Sequence, residues 1–234
     1  ILIPSISVKA QIGGDNTFEF VNLTSSARIA SMGGDFLAVD DDDITLGIAN
    51  PSVISPNIDG HLALSFVDYF TDINYGFAMY SRTFEKFGSF AGSIQFIDYG
   101  EFQYADETGQ INGTFSAGEY AFTLGWGRRL DSLFSIGANI KGLYSSLDTY
   151  SAFGLAVDVA GTYHSRSGYV VSLLARNIGR QLSSYVDGNN EPLPFTLQLG
   201  MSKQLNHLPF RFSILLNHLE KWDMDYEDPQ DPGE

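Results

Sequence analysis

Four adjacent carboxylates, Asp40 to Asp43, form the group in this 234-residue sequence whose type and spacing could bind a cation. Ca²⁺ takes about six to eight oxygen ligands, and a bound ion would relieve the repulsion among neighbouring charges. The spacing of an EF-hand loop is absent, however. In the competing interpretation, these carboxylates cap a following helix and pair with bases such as Lys141, Arg176 or Arg211. We expect the second arrangement, with no bound metal.

Residue patterns typical of catalysis are missing from the sequence. It contains no Gly-x-Ser-x-Gly, no His-Glu-x-x-His and no Gly-rich phosphate loop with a Lys. The four histidines lie far apart along the chain, and there is no cysteine to act as a nucleophile or to bind zinc. We therefore expect a protein that is not an enzyme and that holds no cofactor.

The net charge of -15, from 28 acidic and 13 basic residues, argues against a nucleic-acid partner, because binding to a phosphate backbone needs a basic surface. This charge is unevenly distributed. Asp40 to Asp43 and six acids among residues 223–234 hold ten of the fifteen excess charges. The remainder is nearly balanced, with 18 acids and 13 bases. No uninterrupted apolar run in the sequence is long enough for a membrane-spanning helix.

From about residue 60 onward, large apolar residues alternate with small or polar ones, which is the pattern of a β-strand with two different faces. A typical case has Tyr120, Phe122, Leu124 and Trp126 alternating with Ala121, Thr123, Gly125 and Gly127. This alternation predicts nine strands, at residues 60–69, 73–84, 89–100, 118–130, 132–147, 153–164, 168–177, 195–206 and 209–220.

The length of these segments, about ten residues or more, distinguishes two classes of all-β protein. Strands of soluble domains have about 5–6 residues, whereas a tilted strand that crosses a bilayer needs about 9–11. Short connections also alternate with longer ones at 103–117, 148–152 and 178–194, except at the tight hairpin of Thr71 and Asp72. Short periplasmic turns and longer outer loops produce such alternation. We expect a transmembrane antiparallel β-barrel; the alternative is a soluble all-β domain.

Residues 18–57, which we name the hatch segment, lack the strand pattern. Thr24, Ser25 or Ser26 is expected to cap a short helix that runs through Met32 and stops at Gly33 and Gly34. A second short helix is expected from Asp43 through Ala49, ended by Asn50 and Pro51. Such turns could fill the lumen of a barrel as a hatch, or form a surface subdomain. The expected organisation is an extension at 1–17, the hatch segment at 18–57 and the barrel at 58–234.

Five basic residues are expected to point into the lumen, because each lies on the polar face of a predicted strand. They are Arg82, Arg129, Lys141, Arg176 and Arg211. One interpretation pairs them with the hatch segment through Asp40, Asp41 and Glu19. The other makes them the lining of a charged passage.

Several stretches of this sequence match a known family. Residues 18–28, Met32-Gly33-Gly34, Asp40 to Asp43 and Asn50-Pro51 resemble the N-terminal signature of the FadL-like outer-membrane proteins of the type IX secretion system, the PorV/PorQ family. Further similar stretches are residues 69–76, 105–109, 114–117, 130–137, 176–179, 191–195 and 209–212. The similarity extends over nearly the whole chain from residue 18. In this family the N-terminal signature belongs to the hatch, here Arg28, Gly33, Gly34, Asp40, Asp41, Asn50 and Pro51.

The resemblance implies a 14-stranded barrel with a lumenal hatch, in the outer membrane of a Bacteroidota bacterium. It also implies a non-enzymatic scaffold in an attachment complex that contains a sortase-like protein, a PorV-like component and the surface protein PorZ. In such a complex, secreted cargo is joined to anionic lipopolysaccharide. Single-chain bacterial barrels have an even number of strands, and nine are predicted here. We therefore expect either a longer protein with about five more strands or a disordered loop that interrupts the barrel at Glu234.

For the scaffold, the outer loops at 101–117, 178–194 and 221–234 are the expected docking sites for a surface partner. Candidate anchors are Tyr104, Phe115, Tyr185 and Leu193, because buried aromatic and apolar side chains dominate many docking energies. The alternative function is transport of hydrophobic compounds, which the FadL-like resemblance also allows. Transport would need an apolar path to an opening in the wall, with a strand kink near Gly92 or Gly125.

Overall fold

A computed structural model describes residues 16–24, 26–186, 188–205 and 208–221. Within these residues, nine strands form one antiparallel sheet in which each strand pairs with its neighbours in chain order. The strands are β1 (Leu62–Asp68), β2 (Asn74–Phe84), β3 (Gly88–Ala105), β4 (Ile111–Arg129), β5 (Phe134–Leu147), β6 (Tyr150–His164), β7 (Tyr169–Ser183), β8 (Thr196–Gln204) and β9 (Arg211–Leu216). The prediction of a predominantly antiparallel β-protein is confirmed. The extension at 1–17 and the loop at 221–234 lie mostly outside the described residues.

The two faces of the sheet follow from the alternation in the sequence. Small and polar side chains lie on one face, which the hatch segment covers and which we name the inner face. Large apolar side chains lie on the opposite, exposed outer face. Between β1 and β9 the sheet is open, since the described residues of these two strands do not pair with each other.

Strand lengths differ from the prediction at both extremes. β1 and β9 have 7 and 6 residues, fewer than expected, whereas β3 and β4 have 18 and 19. Most of the predicted loop at 103–117 is therefore paired strand. Its Gly and acidic residues indicated a loop, but cross-strand hydrogen bonding continues through them to a turn at 106–110.

The connections fall at two ends of the sheet. The loop end carries 69–73, 106–110, 148–149 and 184–195, and the turn end carries 85–87, 130–133, 165–168 and 205–210. The expected loop at 148–152 is a two-residue turn, because β5 and β6 stay paired up to Leu147 and Tyr150. A regular alternation of short and long connections is therefore not observed.

The hatch segment contains the two short helices that the sequence predicts. α1 (Ala27–Ser31) begins after Ser26, whose side chain accepts a hydrogen bond from the Arg28 amide, and it ends before Gly33 and Gly34, both with positive φ. α2 (Leu46–Ala49) ends at Asn50 and Pro51 as expected. No helix among the described residues has the length and apolar character needed to cross a membrane.

The hatch segment makes contacts across most of the sheet. The single turn of α2 meets side chains of three strands, Met79 of β2, Asn139 of β5 and Arg176 of β7. In a flat sheet β2 and β7 would lie five spacings of about 4.8 Å apart. A single helical turn is too short to contact β2 and β7 across that distance. The sheet therefore curves around the hatch segment.

A glycine in β5 allows the closest approach of the hatch segment to the sheet. A Cβ at Gly137 would overlap the backbone of Pro51 and Ser52, whereas a Cβ at Gly142 on the same strand would meet nothing within 4 Å. We expect Gly137→Ala to lower the free energy of unfolding by about 1–3 kcal/mol, because backbone must move to admit the methyl group. Urea unfolding of the purified protein measures this change. Gly142→Ala is the matched control, and an equal effect of both substitutions would contradict the packing described.

Candidate functional site

The outer face carries a continuous apolar surface. Phe122 of β4 and Ile140 of β5 are 54% and 59% exposed. The strand register places Ile94 beside Phe122 and Val157 beside Ile140, so the apolar side chains form rows across adjacent strands. Apolar patches on soluble monomers rarely exceed a few hundred Å². A surface that extends in this way over most of the strands is typical of contact with a partner or with lipid.

Aromatic side chains lie along both margins of this apolar surface. Near the loop end, the rings of Tyr120 and Tyr144 are paired with centroids 6.4 Å apart. Near the turn end, Phe134 and Tyr163 are paired at 5.0 Å, and Trp126 donates a hydrogen bond from Nε1 to the Phe87 carbonyl at 2.8 Å. Six residues separate Tyr120 from Trp126, which is about 20 Å along a strand. An apolar band flanked by two aromatic margins is a feature that outer-membrane barrels also have.

A buried ion pair lies at the centre of the inner face. Lys141 Nζ of β5 lies 2.8 Å from Asp158 Oδ2 of β6, with side chains 4% and 0% exposed. Asn139 Nδ2 and the Asn177 amide donate to the same carboxylate at 3.0 and 2.8 Å. Lys141 also donates to Asn177 Oδ1 at 2.9 Å. The carboxylate thus has three hydrogen-bonding partners and the ammonium two, which makes their burial tolerable.

The five predicted lumenal bases have different environments. Arg129 contacts the hatch segment as expected, since its Nη2 lies 2.9 Å from Asp40 Oδ2. Lys141 pairs with Asp158 of the sheet instead of the acidic block. Arg176 lies 3.5 Å from Asp35 and donates to the Ala49 carbonyl at 3.2 Å.

The remaining two bases and one acid differ from the pairing that we expected. Arg211 donates to Gln204 at 3.2 Å. Arg82 is a correction: its position in β2 alternates with buried Ser81, so its side chain is exposed at the strand end and lies 3.5 Å from Asp59. Glu19 accepts hydrogen bonds from the side-chain amides of Asn16 and Asn22 rather than from a base of the sheet. The inner charges therefore hold the hatch segment at several separate points.

The acidic block is held by Arg28, a residue of the hatch segment itself. Arg28 binds Asp41 at 2.5 Å and Asp43 at 2.9 Å. Burial opposes ionisation of both carboxyls, but hydrogen bonds outweigh it and keep both pKa values below the ordinary value. These bonds come from Arg28 and the Asp43 amide to Asp41, and from Thr45 and Arg28 to Asp43. Arg28 and Arg129 thus pair with three of the four carboxylates, Asp40, Asp41 and Asp43, and no group of metal-binding side chains occurs in the described part of the chain.

This cluster predicts a loss of stability in acid. The ionised forms of Asp41 and Asp43 are favoured in the folded state, so their contribution is complete above the ordinary pKa of 3.8 and is lost as pH falls through the lowered values. We expect the thermal unfolding midpoint to fall on acidification from about pH 6 to about pH 3, and to fall less in Asp41→Asn. Asp42→Asn changes an exposed neighbour and should keep the wild-type acid dependence. Identical pH profiles for all three proteins would contradict the assignment.

Two of the four candidate docking residues pack inside the protein. Leu193 is 5% exposed and lies in a core cluster with Phe18 and Leu143. Tyr185 packs against the same cluster, and its hydroxyl donates to Ser145 at 2.5 Å. Both are corrections to the expected loop anchors, because loop 184–195 folds back onto the hatch segment. The amide of Thr17 donates to the Pro192 carbonyl at 3.0 Å.

Tyr104 and Phe115 stay at the loop end, within the paired hairpin of β3 and β4. Their ring centroids are 4.9 Å apart, and Phe102, which was not among the predicted anchors, stacks on Phe115 at 5.1 Å. Phe102 was missed because it lies opposite Phe115 only when β3 and β4 pair in this region. We had expected these residues to form a loop.

Comparisons with models of protein families and with curated proteins give no match for this chain. The function must therefore be inferred from the geometry of the molecule itself. Its main features are an apolar outer face, a polar inner face covered by the hatch segment, and an aromatic hairpin at the loop end. A cavity of about 30 Å³ between the hatch segment and the sheet, beside Lys141 and Arg176, has room for only one or two water molecules.

Proposed function

We propose that this chain forms the wall of an outer-membrane β-barrel, closed by its hatch segment, that anchors a partner at the cell surface. The observation that carries the proposal is the opposite character of the two sheet faces. Large apolar side chains are exposed over the outer face, while the inner face is polar and covered. A protein dissolved in water would be expected to bury the larger apolar set.

Closure of the sheet is part of this proposal. Unpaired backbone groups at the edges of β1 and β9 would each cost several kcal/mol in hydrocarbon, so both edges need further strands. An even total of 14, as the family resemblance implies, would meet this requirement. The outer membrane is the expected location, with the loop end on the cell surface.

The proposed role follows the resemblance to the type IX secretion proteins, in particular to PorQ. The chain would hold a PorZ-like surface protein in a complex with PorV-like and sortase-like components while cargo is attached to lipopolysaccharide. Two features support a scaffold over a channel. The cavity beside Lys141 and Arg176 is small, and charged contacts such as Arg129 with Asp40 fix the hatch segment in place.

Transport of hydrophobic compounds is the second candidate, and one observation favours it. β7 pairs with β8 only through Tyr169–Arg176, so its residues 178–183 have no strand neighbour on that side, and a groove of about 590 Å³ lies there. The lining of the groove is mixed, since Arg180, Gln181 and Glu191 lie beside apolar residues that include Ile178, Leu193 and Phe195. β3 and β4 also pair without a register shift across Gly92 and Gly125, so their pairing is not interrupted at either glycine.

Affinity purification from native outer membranes tests the proposed function. A tagged chain should sediment with the outer membrane and should bring down one surface protein in about equal amount. Bound fatty acid without a protein partner would favour transport. Recovery of the chain in the water-soluble fraction would contradict both functions. A matched purification of an unrelated outer-membrane barrel with the same tag controls for adventitious capture.

A further inference from the structure

The loop end of β3 and β4 forms a hairpin that extends beyond the rest of the sheet. β2 pairs with β3 no further than Asp98, and β5 pairs with β4 no further than Ala117. Residues 101–116, which we name the arm, therefore pair only with each other over about five residues per strand, or roughly 16 Å. The arm is closed at its tip by Asp106, whose carboxylate accepts hydrogen bonds from the Thr108 and Gln110 amides at 2.9 Å.

A β-bulge at the base of the arm reverses the faces of β3. Asp98 pairs with Gly118 and Glu101 with Ser116, so two residues of β3 lie opposite one residue of β4. Below the bulge the even-numbered residues of β3, such as Ile94, lie on the outer face. Above it the even-numbered Phe102 and Tyr104 lie on the same side as Phe115, which continues the inner face of β4. The arm aromatics are therefore turned away from the apolar outer face.

These three aromatic side chains form a stacked, partly exposed platform. Phe102 and Phe115 stack with an interplanar angle of 20°, and Tyr104 lies against Phe115 at 4.9 Å. Phe102 and Tyr104 remain 41% and 42% exposed. Because the bulge removes them from the lipid-facing side, they do not belong to the aromatic margin of the outer face. Rigid exposed aromatics outside a core are typical of protein-binding surfaces.

The strand connections differ in charge between the two ends of the sheet, although Asp40 and Asp59 pair with two of the bases at the turn end. At the turn end, seven basic and two acidic residues lie within three positions of the connections. Within three positions of the connections at the loop end, the described residues include six acids and no Lys or Arg. The seven bases are Arg82, Lys86, Arg128, Arg129, Arg166, Lys203 and Arg211; the six acids are Asp68, Asp72, Asp106, Glu107, Asp148 and Glu191. Between Lys86 and Arg128 the sequence contains no base at all.

We propose that the arm docks a basic protein surface, with Phe102, Tyr104 and Phe115 as the contact platform and the acidic loop end as the complementary charge. This inference rests on the proposed function and specifies the chemistry of its partner. Lys and Arg side chains both pair with carboxylates and stack on aromatic rings. Anionic lipopolysaccharide is the opposite case, because six acids in connections without Lys or Arg repel a phosphorylated surface.

Photo-crosslinking in native outer membranes tests the arm. p-Benzoylphenylalanine in place of Tyr104 should crosslink one surface protein, at a peptide that mass spectrometry shows to be rich in Lys and Arg. The variant Glu107→Lys, at the tip of the arm, should lower the crosslink yield at least about tenfold, since like charges then face each other. Glu107 is exposed at the tip, so its substitution should leave the fold of the arm unchanged. Glu85→Lys, the same change at an exposed site of the turn end, should leave the yield unchanged.

The outcomes separate this inference from the proposed function. If the surface protein co-purifies with wild type but crosslinks equally well to Glu107→Lys, the scaffold stands and the arm inference is wrong. Crosslinks from position 104 to lipopolysaccharide, to an acidic peptide or to a second copy of this chain would also overturn the inference. If no surface protein co-purifies with wild type, both proposals fail.

Discussion

Phe122→Arg should lower the free energy of unfolding in lipid vesicles by about 2–4 kcal/mol, as expected for a charge placed near the bilayer midplane. Phe122 lies in the middle of β4 on the outer face, between Tyr120 and Trp126 at the two aromatic margins. In water the same substitution of a half-exposed side chain would be nearly neutral. Urea unfolding of the protein reconstituted in vesicles measures the difference directly.

Leu130→Arg is the matched control for this experiment. Leu130 is 58% exposed, similar to Phe122, but it lies in the turn at 130–133. Arginine near the bilayer interface costs only about 0–1 kcal/mol, so the two substitutions should differ clearly. Equal small effects at both positions would place the outer face in water and contradict the membrane assignment.

Lys141→Met should destabilise the protein by about 3–5 kcal/mol, because it leaves the Asp158 carboxylate buried without its counter-charge. Neither side chain has appreciable contact with solvent. The double variant Lys141→Met/Asp158→Asn should recover much of the loss, since Asn removes the charge and still accepts a hydrogen bond from the Asn177 amide. Chemical unfolding of the three proteins gives this comparison.

Lys86→Met, at the turn end, provides the control for loss of a lysine. Lys86 is exposed, and its substitution should change stability by no more than about 0.5 kcal/mol. If Lys141→Met changed stability as little as Lys86→Met, the hydrogen bonds around Lys141 and Asp158 would not stabilise the packing of β5 and β6. If the double variant were worse than the single one, the buried charge would not be the cause of the loss.

Period-two alternation was sufficient to predict nine strands and the apolar face of most of them, because side chains on a strand alternate strictly; β2, where Arg82 was placed on the wrong face, is an exception. Local signals likewise predicted α1, from Ser26 to the two glycines after Met32. The ends of β3 and β4 were missed, since their pairing past residue 101 depends on a bulge that the sequence does not mark. The same bulge explains why the face of Phe102 could not be read from alternation alone.

The partners of the inner charges were harder to predict than their face. Lys141 was placed on the polar face, but its pairing with Asp158 depends on the relative register of β5 and β6. Tyr185 and Leu193 were expected in an open loop. Their burial results from the return of loop 184–195 to the hatch segment, a contact between residues more than 150 positions apart that no local pattern records.

The most direct test of the membrane assignment is the environment of the outer face. The sequence contains no cysteine, so single Cys substitutions at Ile94, Ile140 and Leu155 can each carry a fluorescent label without interference. In vesicles whose acyl chains are brominated, these labels should be strongly quenched by lipid and protected from aqueous iodide, whereas a label at Glu107 on the tip of the arm should show the reverse. Outer-face labels that iodide quenches as strongly as the label at position 107 would contradict a membrane-spanning wall.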